Sequence, residues 1–330
     1  MKKIIATLLL SVIMLTLLCS CGGGGEQENQ EPTTKIRVGY LTGPTGMGMA
    51  KLIHDNGGIA GNEKYEFISY NTNSSFATAD LSNGEVDIIC LATNEALKYY
   101  SSADSNLRIL AVNCLNSLYL VSDENNQVSS FADLQGKTIY TCKNGTPAII
   151  LEYIINALGY NIDVLYSING TKLDTPADVR NQIIAGNIPY AVIPEPIVTA
   201  SLLKNSNYSI DINLADEWAN IPGLENTPVT MGCIVTSQKF IDKNPELIAS
   251  FLNEYKESVN YIGNVENVEN SANYVAESKI MDAAPAAKKA ISNLGNAIAY
   301  LDGEEMKSAL IAFYTAIGMT LPDDNFYYGK

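Results

Sequence analysis

Residues 36–48 read Ile36-Arg37-Val38-Gly39-Tyr40-Leu41-Thr42-Gly43-Pro44-Thr45-Gly46-Met47-Gly48. The first six form a short, mostly apolar run bounded by turn residues, the pattern of a buried strand. The Gly-Pro pair and the spaced glycines predict a loop, and Met49, Ala50, Leu52 and Ile53 continue it as a helix. Strand, glycine loop and helix make the repeating unit of an α/β fold, whose ligands bind beyond the carboxyl ends of the strands. Free backbone N–H groups at such a loop can hold a polar or anionic group without a charged side chain. Tyr40, Thr42, Gly43, Thr45, Gly46, Met47 and Gly48 are therefore the first candidate binding residues. The competing reading of the three loop glycines is a tight turn and close helix packing.

The same grammar continues. A strand over Tyr65–Tyr70 ends at a polar cluster opening with Asn71, and another over Val86–Ala92 ends at Thr93-Asn94-Glu95. Asn71, Thr93 and Asn94 thus join the strand-end candidates. This alternation predicts a parallel sheet with helices on both faces. A second unit follows, with strands over Thr138–Cys142, Asp163–Tyr166 and Tyr190–Ile193. Its loop Lys143-Asn144-Gly145-Thr146 leads to Pro147, which places the N-cap at Thr146 and Pro147 at the first helical position. Gly159 stops that helix, Thr175-Pro176 starts the next and Gly186 ends it. Asn144, Gly145, Thr146 and Glu195 are the candidates here. Extended stretches over Ile109–Ser122 and Val229–Thr236 flank the second unit and predict two crossings between lobes, with Asn116 on the first. The expected division is 36–117 plus 232–330 for lobe 1 and 118–231 for lobe 2, the former completed by a helix starting at Asn244-Pro245.

At the N-terminus, Lys2 and Lys3 precede a run from Ile4 to Leu18 interrupted only by Thr7, Ser11 and Thr16. About fifteen mostly apolar residues fall short of the roughly 20 that span a bilayer, so a cleaved secretion signal over 1–20 is expected. Leu18-Cys19-Ser20-Cys21 resembles the bacterial lipobox, which implies lipidation at Cys21; at Cys19 bulky Leu18 would occupy the cleavage position. Residues 21–35 hold four glycines and a polar run, Gly22 to Thr34, and read as a flexible tether. The expected location is the outer face of the cell membrane, held by lipid alone.

The formal charge of −15 becomes −17 once Lys2 and Lys3 leave with the leader, which disfavours nucleic acid and anionic surfaces as partners. Cys90, Cys114, Cys142 and Cys233 are widely spaced in apolar stretches; they read as buried free thiols, with no metal site or cofactor expected. The single histidine, His54, sits within a helix and reads as a packing or surface residue. Gly43-x-x-Gly46-x-Gly48 lacks the order of a dinucleotide fingerprint, and no P-loop is present. Trp218 reads as packing.

The Ile36–Leu41 strand, the Asn83-Gly84-Glu85-Val86-Asp87 turn, Asp133-Leu134-Gln135-Gly136-Lys137 and Glu195-Pro196 together resemble the type II periplasmic-binding-protein fold, within it the family of nitrate, sulfonate, taurine and thiamine-precursor binding proteins. Pro194 stands where that family usually has an aromatic residue. The resemblance implies two α/β lobes joined by two crossing strands. It implies a monomeric, non-enzymatic solute-binding lipoprotein that delivers a small molecule to ABC permease and ATPase subunits. The three arginines, Arg37, Arg108 and Arg180, fall in no strand-end loop, which weighs against sulfonate, taurine or nitrate. Tyr40, Tyr99, Tyr100 and Tyr190 are available for stacking, favouring a thiamine-type pyrimidine. The alternatives are a sensory lipoprotein of the same fold and a pyrimidine-synthase-like enzyme, whose cysteine-rich motif has no counterpart in this chain.

Overall fold

The computed structural model describes residues 35–71, 74–102 and 106–329. The leader, Cys21 and the tether up to Thr34 lie outside them. Strand β1, Ile36–Tyr40, pairs in parallel with β2, Tyr65–Ser69, and with β3, Ile88–Ala92. Arg37 fixes this start. Its N–H, Nε and Nη2 reach the Asp87 carboxylate at 2.8, 3.0 and 2.6 Å, so the acidic end of the Asn83–Asp87 turn clamps β1 beside β3.

The long extended stretch after β3 is two strands, β4, Leu107–Leu115, and β5, Leu118–Asp123. Between them Asn116 adopts a left-handed φ of 42°, a conformation that asparagine tolerates better than most residues and that ends β4. Strands β6, Thr138–Tyr140, β7, Asp163–Leu165, β10, Tyr190–Pro194, and β11, Tyr208–Asn213, follow. A small hairpin of β8, Ser167–Ile168, and β9, Thr171–Lys172, lies between β7 and β10. The chain then returns to β12, Thr230–Ser237, and ends its strands with β13, Ile298–Leu301. Two sheets result, ordered β13-β4-β12-β3-β1-β2 and β11-β5-β10-β6-β7.

These are two α/β lobes joined by two crossings. The expected parallel sheets are parallel only at β2-β1-β3 and at β7-β6-β10. Strand β12 runs antiparallel to both β3 and β4, and β5 runs antiparallel to β10 and β11. The physical reason is connectivity: a chain that leaves one lobe and comes back must reverse. The second crossing is also shifted from expectation, since β12 belongs wholly to the first sheet and residues 220–229 make the return. Asn116 pins the crossings together, its N–H donating to the Val229 carbonyl (3.0 Å) and its Oδ1 accepting from the Val229 N–H (2.9 Å).

β3 shows why these strands are continuously apolar. Ile88 and Cys90 enter the core beneath helix Pro245–Gly263, with Ile248, Phe251, Tyr255 and Val259. Ile89 and Leu91 point to the opposite face and join a core that runs on into the second lobe through Leu118, Leu120, Ile150 and Ile154. Burial on both faces demands apolar residues at every position. In helix Thr146–Leu158 the buried side is Ile150, Leu151, Ile154 and Ile155, with Tyr153 packed partly against it. Its N-cap is Gly145 rather than Thr146, which is the first helical residue. Gly159 and Gly186 close their helices in left-handed conformation, and Thr175 forms a capping box with Asp178.

Candidate functional site

The loop after β1 is held by its glycines in two different ways. A Cβ on Gly46 would lie 2.0 Å from the Leu41 carbonyl oxygen, and one on Gly48 would lie 2.7 Å from Val259 Cγ2. Both positions therefore require glycine for packing. Gly43 has φ 155° and ψ −170°, and nothing lies within 4 Å of the side chain it lacks. Met47 is buried in the core, and the Thr45 carbonyl accepts from Asn113 Nδ2 at 2.8 Å. The Thr42 N–H donates to the Asn71 carbonyl (2.6 Å), tying the ends of β1 and β2; Asn71 is itself exposed, with φ 51°.

After β3, Thr93 serves as a pin. Its hydroxyl donates to the Thr230 carbonyl (2.6 Å) and its carbonyl accepts from the Tyr314 hydroxyl (2.8 Å). Asn94 looks the other way, into the second lobe. Its Oδ1 accepts from the Thr146 hydroxyl at 3.2 Å, with both residues buried. Asn94 is 1% exposed, and its Nδ2 has no partner. A buried amide donor without an acceptor costs about 1–3 kcal/mol, so it marks a place where an acceptor belongs.

In the second lobe, Gly145 has φ 98° and its nearest contact for an added Cβ is Pro147 Cδ at 3.7 Å. Asn144 is exposed, its carbonyl accepting from the Cys142 thiol at 3.3 Å. Glu195, which precedes a cis peptide to Pro196, is fully buried. It accepts from the Thr199 N–H (3.0 Å) and hydroxyl (2.9 Å) and from Asn293 Nδ2 (2.6 Å). Burial pushes its carboxyl above 4.5, against the pull of Asn293 and Thr199. Asn293 comes from the first lobe, and its carbonyl also accepts from the Tyr119 hydroxyl (2.7 Å). Glu195 is thus an interlobe fastener.

The tyrosines do not form the expected stacking platform. Tyr40 is buried in the first lobe's core, its hydroxyl donating to the Ser278 carbonyl (2.9 Å). Tyr100 is buried and donates to Asp323 (2.8 Å), Tyr190 is buried within β10, and the hydroxyl of Tyr99 pairs with Ser82. Asn116 is likewise used by the backbone of the crossing. The residues brought together across the lobes are Asn94 with Thr146 and Glu195 with Asn293. Sequence reading missed Asn113, whose Nδ2 lies 2.6 Å from the Tyr255 hydroxyl, and Ser117, buried with its hydroxyl unpartnered. A lone polar residue inside the apolar run Ile109–Leu115 is the signal that could have flagged Asn113; Asn293, on helix Ala284–Leu294, carries no such signal.

Chemically the site is amide, hydroxyl and backbone. Burial pushes the Cys90 and Cys114 thiols up to about 12 and Cys142 to about 11; all four thiols are unbonded. A thiol so shifted is a poor nucleophile. His54 lies at the surface, 2.7 Å from Glu277 and stacked on Tyr274 at 3.9 Å. Trp218 packs between Tyr153 and Phe313, its Nε1 donating to the Thr227 carbonyl (2.7 Å). Among the described residues no cluster of His, Cys, Asp and Glu could hold a metal, and no helix is long and apolar enough to cross a membrane.

The family model described as NMT1/THI5 like matches residues 107–266. No curated protein matches the sequence. An ABC transporter structure from Parabacteroides distasonis superposes with a TM-score of 0.70 at 22% identity, covering 89% of this chain and 99% of that one. The periplasmic aliphatic sulphonate binding protein SsuA of Escherichia coli gives 0.63 at 19%, covering 86% and 90%. The periplasmic nitrate-binding protein NrtA of Synechocystis PCC 6803 gives 0.59 at 13%, covering 83% and 74%. The chain has the two-lobed fold of the periplasmic binding proteins, and the family resemblance carried by its motifs is the one that the NMT1/THI5 like match over residues 107–266 returns.

Proposed function

We propose that this chain is the solute-binding component of an ABC importer, exported and held at the membrane by lipid on Cys21, which captures a small polar molecule between its lobes. The observation that carries this reading is the buried meeting of Asn94 and Thr146, each at the helix start beyond a strand end, with Asn94 Nδ2 left without an acceptor. A solute acceptor atom there would satisfy the amide and bridge the two lobes. Hinged closure would then desolvate it. The sulphonate and nitrate binders of like fold support a transport role.

Charge argues for a neutral or weakly charged solute. Arg37 is spent on Asp87, and Arg108 donates to Gln238 and to the Leu107 carbonyl. Arg180 stands on helix Pro176–Ala185, which packs against β10 and helix Ile197–Leu202. A thiamine-type pyrimidine therefore stays ahead of sulfonate, taurine and nitrate, on hydrogen-bonding grounds rather than stacking. The proposed lobes are 36–117 with 232–330, and 118–231, save that Thr230 and Met231 go with β12 to the first.

The test is a thermal-shift screen of pyrimidines, sulfonates, taurine and nitrate, because a binder of the folded state raises its melting temperature. Asn94→Leu should abolish the shift given by the hit while the circular dichroism spectrum stays that of the wild type. A full shift retained in that variant would remove the site from this cleft, and labelled palmitate that still enters Cys21→Ser would refute the anchor.

A further inference from the structure

Four asparagines of this chain precede glycine: Asn56, Asn83, Asn144 and Asn169. A following glycine leaves the backbone nitrogen unshielded, so that nitrogen can attack the Cγ of the asparagine side chain. The fold restrains three of the four pairs. Asn56 is held at both ends of its amide, Nδ2 donating to the Leu52 carbonyl (2.9 Å) and Oδ1 accepting from Asn62 (3.0 Å). A Cβ on Gly57 would lie 2.5 Å from the Gly61 carbonyl oxygen, so that turn is tightly packed. Asn83 is the last residue of helix Ser74–Asn83, and the Gly84 N–H donates to the Leu81 carbonyl (3.2 Å). Asn169 stands at φ 48° in the turn between β8 and β9. Ring closure fixes the asparagine ψ outside both the helical and the left-handed wells, so Asn83 and Asn169 must leave their conformations to react.

Asn144 meets no such restraint. It is exposed and lies in neither a helix nor a left-handed turn. Among the described residues, neither its side-chain amide nor the Gly145 N–H has a hydrogen-bond partner. No atom comes nearer to a Cβ on Gly145 than Pro147 Cδ at 3.7 Å. Two features acidify the peptide N–H that joins the pair. Gly145 is the N-cap of the 13-residue helix Thr146–Leu158, whose positive end favours an anion at that nitrogen. The Cys142 thiol donates to the carbonyl of the same peptide at 3.3 Å and draws electron density from it.

We infer that Asn144 is a site of self-modification, at which the Gly145 nitrogen closes on the side-chain carbonyl carbon and the loop acquires a carboxylate that its codon does not specify. Hydroxide removes the N–H proton, the nitrogen bonds to Cγ, and the Cγ–Nδ2 bond breaks. The leaving nitrogen takes a proton from water and departs as ammonia. Water then opens the five-membered imide at one of its two carbonyls, with no oxidation or reduction. Opening at Cγ gives aspartate, and opening at the main-chain carbonyl gives isoaspartate, with the chain running through the former side chain. The new charge is favoured by the same helix end. Isoaspartate also adds a methylene to the backbone just ahead of Thr146, whose hydroxyl bonds Asn94. That this loop faces a solute rests on the binding role proposed above; there, an amide able to donate becomes a carboxylate that only accepts.

The experiment incubates the folded full chain in mildly alkaline buffer and follows all four asparagines by peptide mass mapping. Asn144 should gain about 1 Da, through a transient loss of about 17 Da, ahead of the other three. A hydrogen-bonded N–H such as that of Gly84 slows closure about fivefold, so Asn144 should lead Asn83 by at least that factor. Isoaspartate should appear beside aspartate at this position, because direct hydrolysis of the amide yields aspartate alone. In guanidinium chloride the restraints of the fold vanish, and the four pairs should converge on similar rates. Asn144→Gln, which needs a six-membered ring, should lose the mass change there while its circular dichroism matches the wild type. Folded Asn144 reacting no faster than the other three, or giving aspartate without isoaspartate, overturns the inference. A lead that persists in denaturant overturns it as well, since neighbouring sequence and not the fold would then set the rate. Because the masses are read without solute, an empty solute screen leaves the modification standing, and an unreactive Asn144 leaves the solute site standing.

Discussion

In the first lobe's loop a side chain at Gly46 would strike the Leu41 carbonyl at 2.0 Å, whereas in the second lobe's loop nothing approaches a side chain at Gly145 closer than Pro147 Cδ at 3.7 Å. Both loops follow a strand and open a helix with proline in its first turn. The first is positioned by backbone packed against backbone and core, with Gly48 pressed on Val259. The second is positioned by side-chain bonds: Thr141 to the Val192 carbonyl (2.7 Å), the Cys142 thiol to the Asn144 carbonyl, and Thr146 to Asn94. Equal places in a repeated plan thus impose unequal demands. The packing reading of loop glycines describes Gly46 and Gly48, while Gly43 keeps the open face that a ligand would need.

Gly46→Ala is the sharpest way to break this contrast. Overpacking against a carbonyl that cannot move aside should cost about 3 kcal/mol in urea denaturation, near the upper end for such changes. Gly145→Ala meets only backbone strain and should cost about 1–2 kcal/mol. Equal losses in the two variants would erase the distinction.

Glu195 tests the second lobe's reliance on side chains. Glu195→Ala strands the Thr199 N–H and the Asn293 amide in the interior and should cost about 2–3 kcal/mol. Because burial raises its carboxyl above 4.5 in the folded protein, the folded state binds this proton more tightly than the unfolded chain does. Its contribution is complete below about pH 4.5 and declines as pH rises through the folded value. Denaturation of the wild type and Glu195→Gln across pH 4–7 should show a steeper decline in the wild type, since Glu95 and Glu217, also raised by burial, remain in both; parallel curves would contradict it.

The smallest effect concerns the bond across the cleft. Thr146→Val removes one hydrogen bond and should cost about 1 kcal/mol of stability. Asn144→Ala, at an exposed side chain, should stay within about 0.5 kcal/mol. Reversal of that order would mean that Thr146 does not join the lobes.

Much of the fold was legible because it rests on local patterns. Apolar runs set β1, β3 and β10, Gly159 and Gly186 ended their helices, and Thr175-Pro176 began one. The Asn83–Asp87 and Asp133–Lys137 motifs were visible as well, though their work was not: Asp87 clamps Arg37, and Asp133 caps its own turn at the Ser130 N–H (2.9 Å). The site was less legible. Asn94 and Thr146 were both chosen from strand ends, yet nothing local says that they meet 52 residues apart.

By itself the sequence determined the succession of strands and helices, the two units and the places where loops open beyond strand ends, since these follow from periodicity, turn residues and caps read within a few positions. Only the tertiary structure decided the antiparallel return of β12, the burial of Tyr40 and Tyr190, and the roles of Asn116 and Glu195 as fasteners. Those depend on which distant segments come to lie side by side, and a side chain's free hydrogen-bonding capacity is known only after its neighbours have claimed their share.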